Sequence, residues 1–139
     1  MKTVKHMDKK ALKQHLTELS EGFGPSGYED EVRAYVRKYW EPLVDEFKVD
    51  RLGTLIAVKH GSGPEPRPRL VLSAHMDEIA FMVRQIKDGY LRVDRVGGSD
   101  YRITLAKPVV VHTRTGNLKG VFAVPPPHIT KTTGGTGKY

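Results

Sequence analysis

The sequence contains no cysteine among its 139 residues, so disulfides and thiolate metal ligands are excluded. Any metal would have to be held by His, Asp or Glu side chains. No apolar run approaches the roughly 20 residues of a membrane span. The charged start, MKTVKHMDKK, lacks the apolar core of a secretory signal. These absences predict a soluble, cytoplasmic protein that has no membrane partner.

Acidic residues are also scarce, because 16 Asp and Glu stand against 23 Lys and Arg, which gives a formal net charge of +7. Such a charge is compatible with binding to nucleic acid. The basic residues are spread along the chain, however, and aromatic residues, at 8%, are too few among them to form a base-stacking surface. A basic nucleic-acid-binding barrel therefore ranks third among the possible functions, and we expect no nucleic-acid partner.

The first half of the sequence predicts a mixed α/β structure. Two amphipathic helices are joined by the loop GPSG, residues 24–27, and Ser26 and Glu29 have the spacing of a capping box. Strand-prone residues on both sides of RLG, residues 51–53, predict a hairpin. The segment LVLSA, residues 70–74, is apolar on both faces, which predicts an interior strand of an α/β sheet.

After residue 77 the pattern becomes all-β. Short strand-prone runs alternate with glycine-containing turns, which predicts a small barrel or sandwich. We therefore predict an α/β domain at residues 1–77 and a barrel-like β domain at residues 78–128. The last residues, 129–139, are polar and rich in Gly and Thr, and this composition predicts a disordered tail.

His75-Met76-Asp77 lies where the apolar run 70–74 ends. Residues i and i+2 of a strand point to the same side, so one nitrogen of His75 could bind a metal while Asp77 accepts the other N–H. Ligands of α/β folds bind at the carboxyl ends of strands. Zinc needs three or four protein ligands, however, and a hydrogen-bonded structural histidine is the alternative. His75 is thus the candidate metal ligand and Asp77 the candidate residue that orients it.

Several segments, in this order, resemble one family of enzymes. The segments LSEGFGPSGYEDEVR, DRLGTLIA, SAHMDEIAFMV, RVGGSD and VVVHTRTGNLKGVFAVPPPH resemble the N-terminal part of the dinuclear metalloaminopeptidases. This family includes glutamyl, deblocking and tetrahedral aminopeptidases, and some members carry the name endoglucanase. The resemblance extends from about Leu12 to His128, and AHMDEI is its most specific part.

The resemblance implies an α/β catalytic domain with a barrel-like dimerisation domain inserted directly after the His-x-Asp strand. It implies that His75 is one ligand of a site for two divalent ions, zinc or cobalt, and that Asp77 orients His75. It places Pro126, Pro127 and His128 in a loop of the inserted domain, without making His128 a ligand. The implied activity is removal of residues from peptides with a free N-terminus, by a metal-activated water, in a homo-oligomer formed through the β domain.

The family's remaining metal ligands and its catalytic glutamates follow the inserted domain, and the present sequence carries no match to them. We therefore expect both domains to be incomplete, as in an N-terminal fragment that is inactive alone. The second hypothesis is a non-catalytic, β-rich module for oligomerisation or binding, which would use the residues after 77 and need no metal.

Overall fold

A computed structural model describes residues 8–123 of the chain, which fall into two compact units, residues 8–97 and 98–123. The first unit contains, in chain order, α1 (Lys9–Glu21), α2 (Asp30–Trp40), β1 (Glu46–Val49), β2 (Leu55–Val58), β3 (Ala80–Lys87) and β4 (Tyr90–Val96). The second unit contains a short 3₁₀-helix (Tyr101–Ile103), β5 (Pro108–Thr113) and β6 (Gly116–Val121). Neither described helix is long and apolar enough to cross a membrane. The predicted mixture of helix and sheet is confirmed.

The two predicted helices form, and polar aromatic contacts join them. The N-cap of α1 is Asp8, whose carboxylate accepts a hydrogen bond from the Ala11 N–H at 2.7 Å. Nδ1 of His15 lies 2.9 Å from the hydroxyl of Tyr35. The same imidazole meets the ring of Tyr39 edge-on, with 4.1 Å between the ring centroids. The helix pair is therefore held by oriented polar and aromatic groups.

The start of α2 differs from the sequence prediction. Glu29 occupies the N-cap position without a side-chain cap, and its carboxylate instead accepts a hydrogen bond from the Gly27 N–H at 2.7 Å. The hydroxyl of Ser26 donates to Asp77, far along the chain. The predicted capping box is therefore wrong, because the hydroxyl has a charged acceptor in space that sequence spacing cannot reveal.

The apolar centre of the first unit is small. Within residues 8–123, the buried residues are Val32 of α2, which is 4% exposed, and Gly24 and Pro25 of the loop before it. A methyl group of Val32 lies against the backbone of Gly24, where an added Cβ would come within 2.6 Å of Val32 Cγ2. The loop before α2 can approach the helix this closely because residue 24 has no side chain.

The predicted hairpin around residues 51–53 is confirmed. β1 and β2 pair antiparallel, from Glu46 opposite Val58 to Val49 opposite Leu55. In the turn, one carboxylate oxygen of Asp50 accepts from the N–H groups of residues 52 and 54, both at 2.9 Å. Gly53 adopts φ +87°, a conformation that glycine takes without strain.

A carboxylate is hydrogen-bonded at each end of this hairpin, and we expect acid to weaken both. Asp45 has a pKa below its ordinary value, mainly because the side chain of Lys59 donates a hydrogen bond to it and secondly because the backbone N–H of His60 does so. Asp50 also has a lowered pKa, mainly because the backbone N–H of Thr54 donates to it. A carboxyl with a lowered pKa in the folded state stabilises the fold above its unfolded pKa, about 3.9, and loses that contribution as the pH falls through the folded value.

The free energy of unfolding should therefore fall below about pH 4, and urea titrations at several pH values would measure it. Replacing both residues, Asp45→Asn with Asp50→Asn, should flatten this pH dependence. Asp88→Asn, in the turn between β3 and β4, is the matched control and should keep the wild-type profile. A double variant with the same acid sensitivity as wild type would contradict the assignment.

The predicted interior strand at residues 70–74 is not formed. Leu70, Val71 and Leu72 are 85%, 84% and 88% exposed, and the segment pairs with no strand in the described part of the chain. A strand requires a neighbour for its backbone groups, whereas an apolar sequence indicates only that a segment tends to be covered. The predicted interior strand is therefore wrong for residues 8–123, because the neighbouring strands that it presupposes do not occur among them.

The strands after residue 77 form open sheets of two strands. β3 pairs with β4 in the first unit, with a register shift between Val83 and Gln85, and β5 pairs with β6 in the second. The described residues contain three such sheets and no closed barrel. The barrel and the domain limits at residues 77 and 128 therefore stay predictions. Pro126, Pro127, His128 and the predicted tail at 129–139 lie outside the described residues.

Candidate functional site

His75 and Asp77 contact each other, as their spacing predicts. Nδ1 of His75 lies 3.0 Å from Oδ1 of Asp77 and 3.0 Å from its main-chain oxygen. Both oxygens can only accept, so Nδ1 of a neutral ring carries the proton and Nε2 keeps its lone pair. The imidazole is 86% exposed. The hydrogen bond to Asp77 thus fixes the tautomer and leaves the Nε2 lone pair of His75 facing solvent, as a metal-ligating histidine requires.

Asp77 has a second hydrogen-bond partner that the sequence did not indicate. The hydroxyl of Ser26 donates to Oδ2 of Asp77 at 2.5 Å, across 51 positions of sequence. This bond first, and the bond to His75 second, hold the pKa of Asp77 below its ordinary value. The carboxylate therefore stays charged at neutral pH, with one donor on each oxygen. No local spacing rule connects residues so far apart, and the sequence pattern assigned Ser26 to a helix cap.

Backbone hydrogen bonds bring the loop of Ser26 to the segment of Asp77. The N–H of Glu78 donates to the carbonyl of Gly24 at 2.9 Å, and the N–H of Gly24 donates to Oε1 of Glu78 at 3.2 Å. Pro25 forms an isolated parallel bridge with Glu78 at the same place. The residues next to Ser26 and Asp77 are thus joined by contacts that do not involve these two side chains.

A shallow pocket of about 180 Å³ opens beside the imidazole. His75 and Asp77 form one wall, and Glu29 and Thr54 are among the other lining residues. Pockets for drug-sized ligands are larger, roughly 300–1,000 Å³. This one has room for an ion, a water molecule or a small part of a larger substrate.

The donor chemistry fits one position of a metal site. An exposed imidazole nitrogen suits zinc or cobalt, and Nε2 of His75 is oriented to supply it. Within residues 8–123, no three His, Asp or Glu side chains lie close enough together to hold an ion. His60 differs from His75, because its Nε2 lies 3.0 Å from Oε1 of Glu46. Among the described residues, His75 is therefore the candidate ligand, and Asp77 is the carboxylate that contacts it.

The comparison with known families decides how this arrangement is to be understood. Residues 53–138 match the model of the M42 glutamyl aminopeptidase family. The chain belongs to this family. The matched range includes His75 and Asp77 and confirms the resemblance found in the sequence. Membership of the M42 metallopeptidases implies the use of divalent metal in general terms.

Known M42 relatives extend the similarity over most of the chain. A lysyl aminopeptidase of Pyrococcus furiosus is 39% identical over 116 residues, which are 82% of this chain and 32% of that protein. A TET aminopeptidase from a marine sediment thaumarchaeon has a TM-score of 0.77 and 40% identity, covering 84% of this chain and 32% of its own.

The TET1 peptidase of Pyrococcus horikoshii, which assembles into a tetrahedron or a large octahedral shell, has a TM-score of 0.70 and 36% identity, over 88% of this chain and 36% of its own. This chain therefore spans about a third of the length of the M42 proteins that it matches.

Proposed function

We propose that this chain supplies a metal ligand to a metal-dependent aminopeptidase that removes N-terminal residues from peptides. His75 is the ligand, in a site for two divalent ions, zinc or cobalt, and Asp77 orients it. The observation that carries the proposal is the pairing of His75 Nδ1 with Asp77 at 3.0 Å, with the imidazole otherwise exposed. Family membership supports the reaction class, and peptides with a free N-terminus are the proposed substrates.

The residues of this chain act on the imidazole of His75. Asp77 accepts the Nδ1 proton and so keeps the Nε2 lone pair available for a bond to metal. Because Asp77 is ionised at neutral pH, it also stabilises the positive charge that a metal-bound imidazole develops. When bound, the two ions would supply a water of lowered pKa and polarise the scissile carbonyl. One imidazole alone binds zinc weakly, since affinity comes from several convergent ligands.

The β segments support a second part of the proposal, assembly of the working protein into a homo-oligomer in the cytoplasm. We assign residues 1–77 to the catalytic domain and 78–128 to the β domain that makes the subunit contacts. In the second unit, Val110, Leu118 and Val121 are 57%, 61% and 62% exposed. By the register of the two strands, Val110 and Val121 lie on the same face of the β5–β6 hairpin, and a contiguous apolar face is a candidate for subunit contact. The same observation favours the second candidate function, a non-catalytic module for oligomerisation.

Zinc titration of the labelled chain tests the ligand role. We expect Zn²⁺ to shift the side-chain NMR resonances of His75 with weak affinity, and His75→Ala to remove these shifts, because Nε2 is the coordinating atom. His60→Ala is the matched control, since Nε2 of this exposed histidine already contacts Glu46. Zinc-induced shifts that persist unchanged in His75→Ala, or that centre on His60, would contradict the proposal.

A further inference from the structure

We propose that Ser26 is a positioning residue of the metal site, which acts through Asp77 to fix the imidazole of His75. This inference rests on the proposed function and deepens it, because it adds the loop before α2 to the support of the ligand. The chain of contacts is direct, since the Ser26 hydroxyl donates to Oδ2 of Asp77 at 2.5 Å, and Oδ1 accepts from His75 Nδ1 at 3.0 Å.

The backbone around Ser26 is constrained on both sides. The N–H of Tyr28 donates to the carbonyl of Pro25 at 2.8 Å, which closes a turn with Ser26 at its second position. Gly27, the third residue of the turn, has φ +86°, as a type II turn requires. On the other side, Gly24 and Pro25 are buried and pair with Glu78. Ser26 therefore lies in a part of the loop whose backbone is held by hydrogen bonds on both sides.

The effect of the hydroxyl on Asp77 follows from the freedom of a carboxylate. The terminal torsion of an Asp side chain is broad and roughly two-fold, so a single hydrogen bond leaves the group able to swing. Donors on both oxygens define its plane. The oxygen that faces His75 then stays in place, and with it the proton on Nδ1 and the direction of Nε2.

A purely structural tie between the two segments does not explain the contact. One backbone hydrogen bond between Glu78 and Gly24, at 2.9 Å, and one from the Gly24 N–H to the Glu78 carboxylate, at 3.2 Å, already join the loop to the segment. The bond from Ser26 adds a donor to the one carboxylate that contacts His75. The arrangement is that of a ligand, an acceptor that orients it, and a donor that orients the acceptor.

The test measures the tautomer of His75 in the full chain without metal, by ¹⁵N shifts of the ring nitrogens in alkaline buffer. We expect proton-bearing Nδ1 in wild type. Ser26→Ala should lower the ratio of the Nδ1–H to the Nε2–H form by about two- to tenfold, the size of effect that loss of one hydrogen bond produces. Ser62→Ala, in the exposed loop at 61–63, is the matched control and should leave the ratio unchanged.

A second pair of variants separates the hydroxyl from the packing of the loop. Ser26→Thr keeps the hydroxyl, whereas Ser26→Val has the shape of threonine without the hydroxyl. The Thr variant should therefore retain the wild-type tautomer ratio, and the Val variant should show the lower ratio expected of Ser26→Ala. In an Asp77→Ala background, Ser26→Ala should have no further effect, because its acceptor is gone. The amide signals of Gly24 and Glu78 report whether the loop itself is intact.

Equal ratios in the Thr and Val variants, or a Ser26→Ala ratio like that of wild type, would overturn the inference. The measurement needs no metal, so it is independent of the zinc titration. If zinc does not bind at His75 but Ser26→Ala lowers the tautomer ratio as expected, the proposed function alone is contradicted. If zinc binds at His75 but Ser26→Ala leaves the tautomer ratio unchanged, the role of Ser26 alone is contradicted.

Discussion

The purified 139-residue chain is expected to release no p-nitroaniline from aminoacyl-p-nitroanilides, with or without added zinc or cobalt. Residues 8–123 bring no three His, Asp or Glu side chains together, and His75 is the single ligand that we propose among them. A water bound by a single weak ligand does not gain the acidity that a complete metal site confers. Because enzymes accelerate such reactions by about 10⁶-fold or more, the missing ligands should reduce turnover to the uncatalysed rate.

The assay needs a control for aminopeptidases carried over from the expression host. Wild type, His75→Ala and His60→Ala are purified in parallel and tested at the same concentration. A trace of hydrolysis that is equal in all three preparations comes from a contaminant and agrees with the prediction. Hydrolysis that is present in wild type and His60→Ala but lost in His75→Ala would contradict it, and would show that the chain completes a catalytic site.

Gly24→Ala is expected to destabilise the first unit by about 1–3 kcal/mol, the usual cost of forcing an extra methyl into a packed site. The new Cβ would lie 2.6 Å from Cγ2 of Val32, so either the loop or α2 must move. Urea unfolding followed by the fluorescence of Trp40, the single tryptophan, would measure the change. The loss is a large part of the stability that a unit with so few buried residues can have.

Two variants show whether the contact with Val32 is the cause. Gly63→Ala is the matched control, because a Cβ at residue 63 meets no atom within 4 Å and the change should cost little. The double variant Gly24→Ala with Val32→Ala should lose less stability than the sum of the single variants, since removing the methyl relieves the clash. Strict additivity, or an equal loss in Gly63→Ala, would contradict the explanation.

The features that the sequence predicted correctly are local ones. The helices and the β1–β2 hairpin follow from the spacing of apolar residues and from turn residues such as Gly53, all of which act over a few positions. The contact of His75 with Asp77 was predictable for the same reason, since the two residues are two positions apart.

The features that it missed depend on contacts between distant segments. The bond from Ser26 to Asp77 spans 51 positions, and a capping-box spacing offered a plausible local use for the same hydroxyl. The apolar pattern of residues 70–74 likewise predicted a covered strand, but pairing is a property of two segments, and a single sequence does not state which second segment is close.

The exposure of Leu70, Val71 and Leu72 has a consequence for the life of the chain in a cell. An extended apolar stretch with unpaired backbone groups is the kind of surface that chaperones retain and proteases degrade. Because the same stretch leads directly into His75, a polypeptide that covered it would protect the chain from turnover and steady the histidine at once. Degradation of the chain and motion of the proposed ligand, His75, would then both decrease when this segment is covered.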